Sequence, residues 1–257
     1  MTRLHARIRL ACGASALALA LALAPTAARA DEPPAPEPPP QPEQPGVVTK
    51  VSDEETLTRW AHPYNESRIL KKPKKGSKML GRLHLMTEDG FPEVYVVLAR
   101  MVDTKANEWV QVRIPGRPNG RLGWVKRDDL GDYHTVRTKL LVDRTRLRAT
   151  LFRSGRKIFT ARVGVGKAST ATPSGRFYIR EKFHVRSSPV YGTRAIGTSA
   201  YAPTLSDWPG GGVVGLHGTN QPSLIPGRPS HGCIRLKNPD IERLYKLAPI
   251  GTPIEIR

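Results

Sequence analysis

Cysteine is nearly missing from this 257-residue chain: Cys12 and Cys233 are the whole supply. No Cys-x-x-Cys or His-x-x-x-His spacing occurs, which counts against a disulfide framework and a paired-ligand zinc module. An internal repeat, a Gly-rich phosphate loop and a paired-carboxylate arrangement are also lacking. These absences disfavour solenoids, nucleotide cradles and two-carboxylate chemistry. Acids are scarce as well, 22 against 41 Lys and Arg, giving a formal charge of +19. In a cytoplasmic protein such an excess points to nucleic acid. The densest basic run, Lys71-Lys72-Pro73-Lys74-Lys75-Gly76-Ser77-Lys78, has no interleaved aromatic, and that argues against base stacking. We expect a solvated loop there, and no nucleic-acid partner.

The first thirty residues supply a different reason for the charge. Arg3, Arg7 and Arg9 precede an apolar run over 10–24, and Ala28-Arg29-Ala30 forms an A-x-A site before Asp31. This is the layout of a signal peptide over residues 1–30. The run is short against the roughly 20 residues of a membrane span, so no stable span is expected after cleavage. Export through the Sec-type pathway to a periplasm, cell wall or exterior follows. Cleavage removes four arginines and no acid, leaving +15. Outside the cell the matching anionic partners are wall polymers, acidic peptide stems and lipid headgroups. Residues 31–46 hold eight prolines and four acids, a composition that favours an extended linker over a packed core.

Beyond the linker the period is that of strands. Runs at 92–102, 109–114 and 122–126 are β-rich and punctuated by Asp89-Gly90, Pro115-Gly116 and Asn119-Gly120. The pattern Trp109, Val112, Gly123-Trp124-Val125 resembles bacterial SH3-like domains. The resemblance implies a small β-barrel over 47–132 and a wall-contacting role. A second unit follows, with strands at 136–142, 146–152, 158–165, 176–180, 213–217 and 253–257. Ser154-Gly155-Arg156-Lys157 reads as a hairpin turn. One helix is expected at 239–248, capped by Asn238, opened by Pro239 and stopped by Pro249 and Gly251. The fold class is mainly β with one short C-terminal helix. This division predicts that a chain starting near Tyr133 folds alone and keeps its chemistry.

After signal cleavage Cys233 is a lone thiol in an exported protein, a liability unless it is used. It lies in Ser230-His231-Gly232-Cys233-Ile234-Arg235-Leu236, and twelve residues separate Ser230 from His217 of the upstream His217-Gly218-Thr219. With Thr172-Pro173-Ser174-Gly175, Ser199-Ala200-Tyr201 and a terminal Gly251-Thr252-Pro253-Ile254-Glu255-Ile256, residues 135–257 resemble the L,D-transpeptidase (YkuD) catalytic domain. The resemblance implies Cys233 as nucleophile and His217 as proton acceptor and donor. A main-chain carbonyl just after the histidine would orient it, since Gly218 has no side chain to do so. A neighbouring imidazolium can depress a thiol by several units from ~8.5.

Gly232, Gly218 and His231 are the candidate oxyanion and support residues. Arg235, Tyr201 and Ser230 are the candidate substrate contacts. Arg235 reads equally well as a carboxylate fork or as a loop-bracing ion pair, and His231 either shapes the site or packs behind it. His62, His84, His134 and His184 lack motif context and read as surface or strand histidines. No cofactor is implied. A zinc site from His217, His231 and Cys233 is the competing reading. The resemblance further implies peptidoglycan stem peptides as partners. Acylation at the third stem residue would release D-alanine, and the amine of a second stem would resolve the thioester into a 3→3 cross-link. Resolution by water would make an L,D-carboxypeptidase, and a silenced fold would be a wall-binding protein.

Overall fold

A computed structural model describes residues 44–186, 188–204 and 209–257. The signal peptide and nearly all of the linker lie outside the described residues. Among the described residues the chain forms two sheets and one α-helix, as the strand periodicity predicts. The first sheet holds β1 (Thr49–Lys50), β2 (Thr58–Ala61), β3 (Arg68–Leu70), β4 (Met79–Arg82), β5 (Tyr95–Val102), β6 (Glu108–Arg113), β7 (Leu122–Lys126) and β8 (His134–Val136). Its order is β4-β3-β7-β6-β5-β2-β8, with β1 paired separately to β5. The second holds β9 (Thr138–Asp143), β10 (Arg148–Arg153), β11 (Arg156–Arg162), β12 (Gly164–Gly166), β13 (Gly175–His184), β14 (Arg194–Tyr201), β15 (Val213–His217), β16 (Gly227–Ser230), β17 (Ile234–Arg235) and β18 (Pro253–Ile256). Its order is β11-β10-β9-β18-β13-β14-β15-β17-β12-β16.

Alternation explains the faces. Along β5, Tyr95, Val97, Ala99 and Met101 are buried while Leu98 and Arg100 are not fully covered, the period-2 pattern of a strand with one face on a core. Ser154-Gly155 closes β10 and β11 as a two-residue turn between the paired Arg153 and Arg156. The helix α1 (Asn238–Leu247) buries Ile241 and Leu244 against the second core, alongside Leu216, Ile234 and Ile254. Asp240 in its first turn and Lys246 in its last complement the helix dipole.

One expectation about α1 fails. Lys237, not Asn238, is the N-cap, and no side chain caps the helix. Asn238 is instead spent on the loop after His217, as shown below.

The two sheets share more than a connection. Trp60, Val94, Val96 and Val136 of the first form one buried cluster with Tyr178 of the second. The Tyr178 hydroxyl donates to the Val94 carbonyl at 2.9 Å. Arg180 on β13 pairs with Glu93 of the first sheet through both arms of its guanidinium, and the two side chains are 3% and 1% exposed. Removing one partner of a buried pair strands the other charge in a low-dielectric site. Glu93→Ala should therefore lower the unfolding free energy by about 3 kcal/mol, read as a drop in denaturant midpoint at unchanged slope. A drop below about 1 kcal/mol would show that water reaches the pair and that it does not anchor the two sheets.

Candidate active site

The site begins with the alternation of β15. Val214 and Leu216 point into the core, while Val213, Gly215 and His217 face a cleft. β17 pairs parallel to β15 with Leu216 opposite Ile234 and His217 opposite Arg235. That register carries Cys233, the residue before β17, alongside the open face of Gly215. The Gly215 N–H donates to the Cys233 sulfur at 3.5 Å. Two lobes of the cleft, about 180 and 350 Å³, share Tyr191, Val213, His217 and Cys233.

His217 is oriented by its own loop. Its Nδ1–H donates to the Gly218 carbonyl at 2.6 Å. A carbonyl only accepts, so the proton sits on Nδ1, leaving Nε2 with a lone pair. Tyr191 packs edge-on against the imidazole at 4.7 Å. The Gly218 N–H donates to the Arg194 carbonyl, and the Thr219 N–H donates to Asn238 Oδ1 at 3.0 Å. A Cβ on Gly218 would lie 2.2 Å from that same Asn238 oxygen, so only glycine fits.

The cysteine loop is held as tightly. Gly232 takes φ +131°, a conformation that L side chains rarely adopt. Its carbonyl accepts from Thr172 Oγ1 at 2.8 Å, and Thr172 accepts in turn from the Gly166 N–H. Ser230 is buried, donates to the Cys233 carbonyl at 2.5 Å and accepts the Gly232 N–H at 3.2 Å.

These contacts redistribute the candidate roles. Cys233, His217, Ser230, His231, Gly232 and Arg235 line one lobe together, with His231 at its exposed rim. Ser230 lies there too, with its hydroxyl engaged by the loop. The Gly232 amide is likewise engaged. Tyr201 is a correction: its hydroxyl meets Arg180 at 3.0 Å and Glu88, away from the thiol. Its side chain belongs to the contact between the sheets, because the strand alternation of β14 sends it there. Thr172, Tyr191 and Asn238 complete the site without having been assigned to it. Thr172 lies in the Thr172-Pro173-Ser174-Gly175 motif, Asn238 carries a helix-cap signature, and Tyr191 carries no sequence signal. His184 lines the outer lobe, and His134 stacks on Trp60 at 4.3 Å. Among the described residues no cluster of three or more metal-ligating side chains occurs.

Electrostatics at rest differ from the expected ion pair. Burial pushes the His217 pKa down to about 4, with the Gly218 hydrogen bond opposing and Arg235 assisting. Burial also raises the Cys233 thiol, against the Gly215 N–H and Arg235, which lower it. The resting state is therefore neutral thiol beside neutral imidazole, and the expected depression of the thiol is reversed.

A sign follows for stability. The folded state binds fewer protons at His217 than the unfolded state between pH 6.5 and about 4. Its contribution is thus full above 6.5 and lost as pH falls through that window, about 3 kcal/mol in all. Glu181, raised to about 7 chiefly by burial and then by Asp89, acts oppositely across much of the same range. The diagnostic is the difference between the wild type and His217→Asn. Its unfolding free energy should change by about 3 kcal/mol across the window. A flat difference curve would place a solvated imidazole at this position.

Comparison with known proteins gives the family of this chain. The YkuD family, described as the L,D-transpeptidase catalytic domain, matches residues 137–256. The protein named L,D-transpeptidase YkuD of Bacillus subtilis is 33% identical over 127 residues, covering 49% of this chain and 70% of that protein. Its namesake in Bacillus licheniformis is 35% identical over 106 residues, covering 41% and 57%. Among solved structures, the catalytic domain of the E. faecium L,D-transpeptidase matches at 23% identity and a TM-score of 0.35, covering 47% of this chain and 96% of that one. The chain belongs to the L,D-transpeptidase (YkuD) family.

Proposed function

We propose that this protein is an exported, cysteine-dependent L,D-transpeptidase acting on peptidoglycan stem peptides. The observation that carries the reading is the His217 ring fixed by the Gly218 carbonyl, Nε2 free, in the cleft it shares with Cys233. Nε2 accepts the thiol proton as sulfur attacks the carbonyl of the third stem residue. The tetrahedral oxyanion is met by loop amides, that of Cys233 first, because the Gly232 N–H is already engaged. Collapse breaks the C–N bond, Nε2–H protonates the leaving D-alanine amine, and a thioester remains on Cys233. The amine of a second stem then attacks, giving the 3→3 cross-link and regenerating the thiol.

Arg235 favours the substrate reading over the loop brace. Its side chain lines the cleft, and its Nε is buried without a hydrogen-bond partner. A buried unpaired donor is costly until a ligand oxygen fills it. The basic hairpin between β3 and β4 exposes Lys71, Lys72, Lys74, Lys75 and Lys78, which suits anionic wall polymers. Retention on purified wall should fall as salt rises, because exposed charges are screened beyond roughly 8 Å at physiological ionic strength. Salt-independent retention would remove that contact. No helix among the described residues is long and apolar enough to cross a membrane.

Intact-protein mass spectrometry tests the chemistry. Incubation with a disaccharide-tetrapeptide should add the donor's mass less D-alanine to the wild type. Cys233→Ser should show no adduct, and His217→Ala should lose at least ~100-fold in acylation rate. Adding a second stem should convert the adduct to a cross-linked product. Release of free tripeptide at an equal rate with and without that stem would mark a carboxypeptidase, and normal turnover by Cys233→Ser would end the thioester mechanism.

A further inference from the structure

The wall of the cysteine cleft is held from the other sheet. Strand β14 ends at Tyr201 and β15 starts at Val213, and the Ala202 and Gly211 carbonyls just beyond these ends take side-chain donors from elsewhere. The loop joining β6 to β7 supplies them. Arg117 Nε and Nη2 donate to the Ala202 carbonyl at 3.0 and 2.8 Å, and Nη1 donates to the Gly211 carbonyl at 2.9 Å. Asn119 pairs with Tyr201 in both directions: Nδ2 donates to its carbonyl at 2.8 Å, and Oδ1 accepts its N–H at 3.0 Å. The Ala202 N–H itself donates to the Gly212 carbonyl at 2.8 Å. One guanidinium thus ties together the two stretches that flank the cleft mouth.

Those stretches touch the reacting loop. Ala202, Gly212, Val213 and Val214 line the lobe that holds Cys233. A Cβ placed on Gly232 would meet Ala202 Cβ at 3.6 Å and Val214 Cγ2 at 3.9 Å. A shift of Ala202 therefore changes the surface against which a bound peptide lies, one residue from the sulfur. Gly215 and Arg235, which lower the thiol against its burial, take no part in these contacts. Misplacement of a reacting group by about 1 Å can cost on the order of 100-fold in rate.

We propose that Arg117 and Asn119 are positioning residues for acyl transfer at Cys233, through which the first sheet aligns the donor peptide. The inference rests on Cys233 being the nucleophile. A chain starting near Tyr133 would lack both side chains, so its chemistry would not be that of the whole protein.

The test uses the full chain carrying Arg117→Ala, Arg117→Lys or Asn119→Ala. Acylation by the disaccharide-tetrapeptide is measured per reactive thiol, beside alkylation by iodoacetamide across pH. Arg117→Ala should acylate about 10- to 100-fold more slowly, with the alkylation pH profile of the wild type. Asn119→Ala should show a smaller loss. Arg117→Lys keeps the charge but cannot span both carbonyls, so it should recover only part of the rate. Wild-type acylation per thiol in both alanine variants would overturn the proposal. So would alkylation falling in step with acylation, which would mark general disruption of the fold. A wild type that takes no adduct at all would overturn the reading of Cys233 itself, and the inference with it.

Discussion

The chemistry of this protein hangs on the parallel pairing of β15 with β17. It sets His217 opposite Arg235 and Leu216 opposite Ile234, and so brings the loop ending at Cys233 onto the face of β15. Parallel neighbours need a crossover between them, and here the crossover runs through β16 and the turn that carries Gly232. A slip of one residue would swap core and cleft faces along β15. It would bury His217 among core side chains and turn Leu216 to solvent. Val214, Leu216 and Ile234, all essentially buried, oppose such a slip. Apolar packing on one face of the strand thus fixes polar geometry on the other.

Much of this was legible in the chain, and the losses have particular causes. The two motifs around His217 and Cys233 fall where the sheet register meets, and β15 and β7 match their expected limits. Hairpin β10–β11 was visible because Ser154-Gly155 is a turn dipeptide between alternating strands. The eight-residue β14 was missed because Gly197, Ser199 and Ala200 interrupt its β-branched pattern, and the short β16 reads Gly-Arg-Pro-Ser, which no strand propensity favours. It pairs in parallel with β12, so its identity comes from its neighbour. Asn238 was misread because an Asn-Pro pair before an apolar period looks like a cap. Tertiary demand from the Thr219 amide took its side chain instead. Tyr201 was misplaced because a motif gives sequence proximity to a site but not the face on which a side chain lies.

The neutral state of the resting pair bears on the proposed reaction. A thiolate–imidazolium pair would need His217 charged in a buried site beside Arg235, and both burial and that guanidinium oppose it. Arg235 has the reverse effect on sulfur, lowering the thiol against its burial. One positive charge therefore disfavours the protonated base while favouring every negatively charged sulfur or oxygen state. During attack, negative charge moves from sulfur to the carbonyl oxygen, and the site is arranged to receive it. Keeping the thiol protonated also limits its oxidation, since the thiolate is the reactive form.

The same logic bears on which nucleophile resolves a thioester. A base with a pKa near 4 holds a proton only briefly, so it suits the handover to a leaving amine and is free again at once. It is then ready to take a proton from an incoming amine, whose attack needs a free lone pair. An apolar wall that fits a peptide and sheds water tilts the balance toward the amine. In this chain that wall includes Ala202 and Val214, and Ala202 is gripped from the first sheet by Arg117. On this account the choice between amine and water depends partly on side chains far in sequence from either motif.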